Sequence, residues 1–130
     1  MTLVERATSC IVGWAVAMDC GQHTWQTLLD TTQDATLDYS DACPTYLALV
    51  YAPGIHIALP NKSQTYRVEG MNAELRHYLA RLARRSRCFS RCLEALGRAV
   101  KLFVYAWNRR QLFHQAHPTY PAHVMQFIYP

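Results

Sequence analysis

The sequence predicts an α/β protein with the element order strand, helix, strand, helix, strand, helix, helix. Two patterns alternate along the chain, and together they indicate this class. Short β-branched apolar runs are typical of buried strands, whereas apolar residues that recur every three to four positions are typical of amphipathic helices. At 130 residues, 51% of them hydrophobic, the chain is long enough for one small packed domain.

The first half of the chain supplies the three strands and two short helices. The strands are expected at residues 8–17, 35–40 and 55–59. The helices are expected at residues 22–31 and 45–50. Pro44 permits the start of the second helix, and Pro53 with Gly54 predicts the turn before the third strand. Asp41 falls at the carboxyl end of the second strand, where sites collect in open α/β sheets.

One long helix, Tyr66–Arg91, is the segment around which the rest of the chain is arranged. On a helical wheel its apolar residues share one side, which predicts a core-facing stripe: Met71, Leu75, Tyr78, Leu79 and Leu82. Glu69, Asn72 and Arg76 lie on the opposite side, and a run of arginines follows them. The helix therefore combines one early carboxylate, a polar stripe and a basic second half.

The C-terminal part predicts a second core-facing helix at residues 93–111, in which Leu96, Val100 and Trp107 keep the helical period. Three prolines then predict an extended tail over residues 116–130. This divides the chain into a folded part, residues 1–115, and the tail.

Charge is distributed unevenly between the two halves. Residues 1–60 carry six acidic side chains and one basic side chain, whereas residues 61–130 carry three and twelve. A metal site beside a phosphate-binding surface would produce this asymmetry, and so would chance clustering. No apolar run approaches a membrane span, and we expect a cytoplasmic protein whose five cysteines are reduced and mostly buried.

Asp41 and Glu69 each allow two interpretations. Glu69 stands near the start of a helix, where a carboxylate is favoured by the helix dipole, and Asp41 could cap the helix that follows it. Alternatively, both are metal ligands of a nuclease-type site. Asp34 and Asp38 are expected to be solvated.

The run from Thr65 to Ser90 reads T-Y-R-V-E-x-x-N-x-x-L-R-H-Y-L-A-R-L-x-R-R-S-x-C-F-S. It resembles the C-terminal signature of DDE transposases of the insertion sequence 1 family (the insB-type product). Arg6–Val16 is similar to that family's third core strand, and Tyr39–Tyr46 is similar to the segment around its second catalytic aspartate. The resemblance covers nearly the whole chain.

The resemblance implies an RNase H-like fold and an Asp-Asp-Glu triad that binds two divalent cations, with Mg²⁺ suited to such oxygen ligands. The second aspartate corresponds to Asp41 and the glutamate to Glu69. Asn72, Arg76 and His77 match positions near the glutamate, where they would orient it and contact phosphate. Four further arginines would hold the DNA backbone: Arg81, Arg84, Arg85 and Arg87.

The first aspartate of the family has no counterpart in this sequence. In the family it lies on the first core strand, two strands before the strand expected at residues 8–17. Neither Glu5 nor Asp19 is assigned to that role. We therefore expect a partial RNase H-like fold that lacks the first two core strands, N-terminally truncated relative to the family and inactive alone.

Three functional hypotheses follow. The first is a transposase by ancestry, which acts on transposon ends and target DNA near the bacterial nucleoid. The second is a non-catalytic DNA-binding or regulatory fragment that associates with full-length transposase or with itself. The third is a decayed product that barely folds.

Overall fold

A computed structural model describes residues 1–60, 65–82 and 92–129, with Arg81 described by its backbone alone. The strands are β1 (Thr2–Val4), β2 (Ile11–Trp14), β3 (Leu37–Asp41) and β4 (Ile55–Leu59). The α-helices are α1 (Gln22–Thr31), α2 (Pro44–Leu47), α3 (Tyr66–Tyr78) and α4 (Leu93–Ala116). Short 3₁₀ turns occupy Ala80–Leu82 and Val124–Phe127. The described part is mixed α/β, as the sequence predicted.

The strands form two separate two-stranded sheets. β1 and β2 are antiparallel, with Leu3 opposite Gly13, whereas β3 and β4 are parallel, with Tyr39 opposite Ile57. The sequence did not predict β1, because three residues are too few to show a period. The run at residues 8–17, expected to be one strand, contributes only the four residues of β2.

The first residues of that run instead belong to the turn between β1 and β2. Ser9 has a φ of 59°, in the left-handed region that few non-glycine residues adopt. The turn is closed by the backbone of Glu5, whose N–H donates to the Cys10 carbonyl at 2.9 Å. Arg67 of α3 donates hydrogen bonds to the Arg6 carbonyl and, at 3.0 Å, to Ser9 Oγ. These bonds connect the start of α3 to this turn.

The hydrophobic core lies where α3 and α4 pack against β2. Its buried members come from both helices, one strand and the C-terminal turn: Ile11, Met71, Leu75, Phe103, Ala106, Trp107 and Val124. Met71 is 2% exposed. Burying a large apolar side chain of this kind contributes roughly 1.5–3 kcal/mol. The apolar stripe predicted for α3 is confirmed, because its remaining members, Tyr78, Leu79 and Leu82, pack against this cluster.

Asn108 of α4 closes the edge of β2 that faces away from β1. Its Oδ1 accepts the Ile11 N–H at 2.7 Å, and its Nδ2 donates to the Ile11 carbonyl at 2.9 Å. Trp107 adds a bond from Nε1 to the Ser9 carbonyl at 2.9 Å. Side chains of a helix thus satisfy backbone groups that a neighbouring strand would otherwise pair.

Helix α1 has the predicted bounds and connects β2 with the segment that precedes β4. Its residue Gln26 accepts the Val50 N–H at 2.9 Å and donates to the Val50 carbonyl at 3.0 Å. Trp25 packs edge-on against Tyr46, with ring centroids 5.0 Å apart. At its other end, Thr32 lies against β2 so closely that Gly13 has no room for a side chain.

The predicted continuous helix Tyr66–Arg91 is wrong at its centre. Helix α3 ends at Tyr78, because Leu79 adopts φ −112° and ψ 82°, and the 3₁₀ turn follows. This break lets Leu79 and Leu82 reach the core side by side. Residues 83–91 lie outside the described residues. The predicted helix at residues 45–50 is also shorter, since α2 covers only Pro44–Leu47.

The C-terminal residues fold back on α4, so the expectation of an extended tail over residues 116–130 is wrong for the described part. Ala122 and Val124 are buried. Arg110 Nε donates to the Ala122 carbonyl at 2.6 Å, and Arg109 Nη1 donates to the Tyr129 carbonyl at 2.6 Å. The prolines end the helix but leave the chain free to pack beside it, and α4 itself continues to Ala116.

Two expectations drawn from composition have different outcomes. None of the helices in the described ranges has the length and apolar character needed to cross a membrane. The four described cysteines are free thiols, as expected, but only Cys10 is buried; Cys43 is half-buried, and Cys20 and Cys92 are exposed. Cys88 lies outside the described residues.

We expect Asn108→Ala to lower the free energy of unfolding by about 2–4 kcal/mol, because it leaves both Ile11 peptide groups without their partner in a buried position. Urea denaturation measures this change. Gln115→Ala, an exposed position on the same helix, is the control and should change stability little. Equal stability of the two variants would show that the Asn108 contacts do not hold α4 on β2.

Candidate metal and nucleic-acid site

A cleft of about 920 Å³ separates the two sheets. Residues 1–7, which include β1, line one side, and Leu37–Asp41 of β3 lines the other. Helices α1 and α3 close the cleft, with Trp25 and Leu29 from the first and Val68 from the second. Of the described residues, none of β4 and only Val12 of β2 reaches it. The cleft therefore lies beside the edges of β1 and β3 that face away from their partner strands.

Both predicted carboxylates line this cleft. Asp41 ends β3 and is exposed, and its Oδ1 accepts the Cys43 N–H at 3.3 Å. Cys43 rather than Asp41 occupies the capping position of α2. Glu69 stands in the first turn of α3, with its side chain exposed. The structure thus places on one cleft two acids that are far apart in the sequence.

Two of the predicted DNA contacts also reach the cleft, Asn72 and Arg76. Asn72 Oδ1 accepts a hydrogen bond from Thr2 Oγ1 at 3.0 Å, and Thr2 is only 8% exposed. Asn72 therefore ties α3 to β1 and so helps to aim Glu69. Arg76 is exposed one helical turn further along, with its charged group accessible to a polyanion.

Of the remaining predicted DNA contacts, only His77 has a described side chain. His77 is exposed and packs edge-on against Tyr78, with ring centroids 5.1 Å apart. It does not line the cleft in the described residues. The side chain of Arg81 is not described. Three arginines lie outside the described residues: Arg84, Arg85 and Arg87.

Sequence reasoning missed two arginines at the cleft, Arg6 and Arg67. The Arg6 guanidinium lies 4.5 Å from the centroid of the Tyr39 ring, so it reaches from the β1–β2 turn to β3. A cation over an aromatic face is attracted by the ring quadrupole. No local sequence pattern distinguishes Arg6 from a surface arginine, because its partner lies on a distant strand.

Asp38 is half-buried, so the expectation that it is solvated is wrong. It stands opposite His56 in the register of β3 and β4. Burial raises the pKa of Asp38, and the nearby His56 partly offsets that rise. His56 stacks on Tyr51 with centroids 4.0 Å apart, and its Nε2 lies 2.8 Å from Ser40 Oγ. Burial and the charge of Asp38 raise the pKa of Tyr51 to about 12.

The donor set of the cleft suits a hard divalent cation in part. Carboxylate oxygens are the ligands that Mg²⁺ prefers, and Asp41 and Glu69 supply them from two different elements. Among the described residues, no group of three or more His, Cys, Asp or Glu side chains could hold a metal ion. Asp41 and Glu69 therefore line the cleft without forming such a group with a third described side chain.

The described lining of the cleft is acidic on balance. It contains six acidic residues: Glu5, Asp30, Asp34, Asp38, Asp41 and Glu69. It contains three basic residues, Arg6, Arg67 and Arg76. Arg67 bonds the β1–β2 turn and Arg6 stacks on Tyr39, so Arg76 is the cation of this set without a described partner. The cleft therefore favours cations inside and a phosphate near Arg76.

A family model described as IS1 transposase matches residues 5–112 of the chain. The match spans Asp41, Glu69 and the whole of α3. No curated protein and no solved structure gives a significant match.

We expect Asp38→Asn to stabilise the protein at neutral pH. Because burial raises the pKa of Asp38 in the folded state, folding disfavours the ionised form, and this cost is present above that pKa. The gain should therefore shrink as the pH falls toward the unfolded value of about 3.9. Thermal unfolding across this pH range measures it, with the exposed Asp34→Asn as control. A gain that persists at acidic pH would contradict this origin.

Proposed function

Because the chain belongs to the IS1 transposase family, we propose that residues 1–115 form the C-terminal part of an RNase H-like catalytic domain for DNA transposition. The observation that carries this proposal is the shared cleft of Asp41 and Glu69. The antiparallel β1–β2 pair and the parallel β3–β4 pair are compatible with a partial fold of that kind. Fold likeness alone would not suffice, since function depends on the site.

We propose that Asp41 and Glu69 hold Mg²⁺. When bound, such ions would supply the positive charge that favours ionisation of an attacking water and stabilises an in-line phosphoryl transfer. The chain contributes the placement of the two carboxylates. The pairing of β3 with β4 sets the position of Asp41, and two contacts set that of Glu69 by fixing α3: Arg67 on the turn and Asn72 on Thr2.

DNA is proposed to lie across the mouth of the cleft, along the polar face of α3. Arg76 would contact a backbone phosphate directly, since it is exposed and lines the same cleft as the two carboxylates. The four arginines that follow would extend this surface without reading sequence: Arg81, Arg84, Arg85 and Arg87. By contrast, Arg109 and Arg110 of α4 donate hydrogen bonds to backbone carbonyls of the C-terminal residues. These two basic side chains therefore stabilise the fold.

We further propose that residues 1–130 do not join transposon ends by themselves, because they match two of the three acids of the family motif, Asp41 and Glu69. These residues are expected to bind DNA, in the bacterial nucleoid.

A second candidate function is that of a non-catalytic DNA-binding or regulatory fragment, which would associate with full-length transposase or with itself. The observation in its favour is that Arg76 is exposed. Its contact with a DNA phosphate would not require a metal ion at the cleft. The two functions differ in the metal dependence of DNA binding. A catalytic remnant should bind DNA more tightly with a divalent cation, whereas a purely electrostatic binder should not.

Metal binding at the cleft is tested with Mn²⁺, whose unpaired electrons broaden nearby amide signals. We expect broadening around Asp41 and Glu69, and we expect Asp41→Asn and Glu69→Gln each to weaken Mn²⁺ binding at least about tenfold, or about 1.4 kcal/mol. Glu74→Gln is the matched control, because Glu74 is an exposed residue of α3 that does not line the described cleft. Equal broadening in all three variants would refute the metal assignment.

DNA binding is tested by the salt dependence of affinity for duplex DNA. If Arg76 contacts one phosphate, Arg76→Gln should lower the slope of log K against log salt by about 1. Arg98→Gln is the control, since Arg98 already pairs with Glu94 on α4. An unchanged slope in the Arg76 variant would remove Arg76 from the interface.

A further inference from the structure

One hydroxyl group connects β4 to the residue that ends β3. Ser40 Oγ lies 2.7 Å from the Asp41 carbonyl oxygen and 2.8 Å from His56 Nε2. Because a carbonyl oxygen can only accept, the single hydrogen of the Ser40 hydroxyl is donated to Asp41. The imidazole of His56 must then donate to Ser40 from Nε2–H. It therefore does not serve as a base that activates the Ser40 hydroxyl as a nucleophile.

The ring of His56 is held in place by its neighbours. It stacks on the ring of Tyr51, with centroids 4.0 Å apart and an interplanar angle of 13°. Tyr51 is anchored in turn, because its hydroxyl donates to the Tyr46 carbonyl at 3.0 Å. A ring held in this way loses little further freedom when it donates a hydrogen bond to Ser40.

Asp41 needs such a restraint because it stands at the end of the paired region. Its register partner, Leu59, is the last of the β3–β4 pairing. The Asp41 carboxylate is bonded to the residues that follow, since its Oδ1 accepts the Cys43 N–H at 3.3 Å. The bond from Ser40 to the Asp41 carbonyl restrains the ψ angle of Asp41. It thereby restrains the direction in which the chain leaves β3 toward Cys43.

We propose that His56 is a positioning residue for the metal site, and that it orients the Asp41 carboxylate through the hydroxyl of Ser40. Asp41 and Ser40 line the cleft, whereas His56 is not among the described residues that line it. His56 therefore acts on the site through Ser40 and not by touching a bound ion. The inference deepens the proposed function, on which it rests for the role of Asp41 as a metal ligand.

Three variants separate the hydrogen bond from the packing of the ring. His56→Phe keeps an aromatic ring against Tyr51 but removes the donor, and Ser40→Ala removes the hydroxyl. We expect each to weaken Mn²⁺ binding about fivefold, the size of one lost hydrogen bond. His56→Gln removes the ring but carries an amide nitrogen as many bonds from Cα as Nε2. It should weaken binding less than about twofold, because it restores the donor.

His23→Phe is the matched control. His23 is an exposed histidine of α1 that does not line the described cleft, so its substitution should leave Mn²⁺ affinity unchanged. The double variant of His56→Phe with Ser40→Ala tests whether the two side chains act in one chain of contacts. Because either change breaks that chain, the double variant should bind Mn²⁺ about fivefold more weakly than the unsubstituted protein, as each single variant does.

A second measurement needs no metal. Exchange of the Cys43 amide hydrogen with water should become about threefold faster in His56→Phe and in Ser40→Ala, because the Asp41 carboxylate is less well held against it. Exchange at Ile57, in the middle of the β3–β4 pairing, should not change. If the unsubstituted chain bound no Mn²⁺, the metal assignment would fail, while the Cys43 amide would still decide whether His56 positions Asp41.

Three results would overturn the proposal. The first is that the effects of His56→Phe and Ser40→Ala multiply in the double variant, since the two side chains would then act independently. The second is that His56→Gln loses as much affinity as His56→Phe, which would exclude the hydrogen bond as the cause. The third is that exchange becomes faster at Ile57 as well as at Cys43, which would assign His56 a role in the stability of the sheet.

Discussion

The pairing of the Asn108 carboxamide with the Ile11 peptide groups is the contact on which the rest of the structure depends. One side chain satisfies a donor and an acceptor at the edge of β2, at 2.7 and 2.9 Å. Without it, docking α4 on that edge would bury polar groups with no partner, at a cost that apolar packing alone would have to offset. With it, Phe103 and Trp107 lie on the strand, their rings 5.6 Å apart, and form the core with Met71.

That core carries the site by way of α3. Met71 and Leu75 bury the apolar side of α3 in the core, and the polar side of the helix therefore faces the cleft. Two polar ties then fix its position along β1, Arg67 on the turn and Asn72 on Thr2. A residue that resemblance associated with DNA, Asn72, is thus also part of the framework that aims Glu69. Substituting it would change both the geometry of the site and any phosphate contact.

The cleft combines two features that a single closed sheet would not show. It collects carboxylates, which repel one another unless a cation or a proton is shared. It also borders the edges of β1 and β3 that face away from their partner strands.

Much of the fold and of the site was predictable from local pattern and from resemblance. The bounds of α1 and β4 agree with those expected from periodicity, and the apolar stripe of α3 proved to be its core side. Resemblance to a family pointed to Asp41 and Glu69. The sequence could not indicate that Leu79 leaves the helix, because helix propensity there is outweighed by packing on a distant strand.

The sequence by itself therefore determined most of the helices and strands, the class of the fold and the family to which the chain belongs. These features are encoded by neighbours three or four positions apart, or by a continuous motif. Only the tertiary structure decided that β1 pairs with β2, that Asn108 closes the edge at Ile11, and that Arg6 reaches Tyr39. Contacts between side chains and backbone nearly a hundred residues apart leave no periodic trace, so they emerge only when the chain is folded.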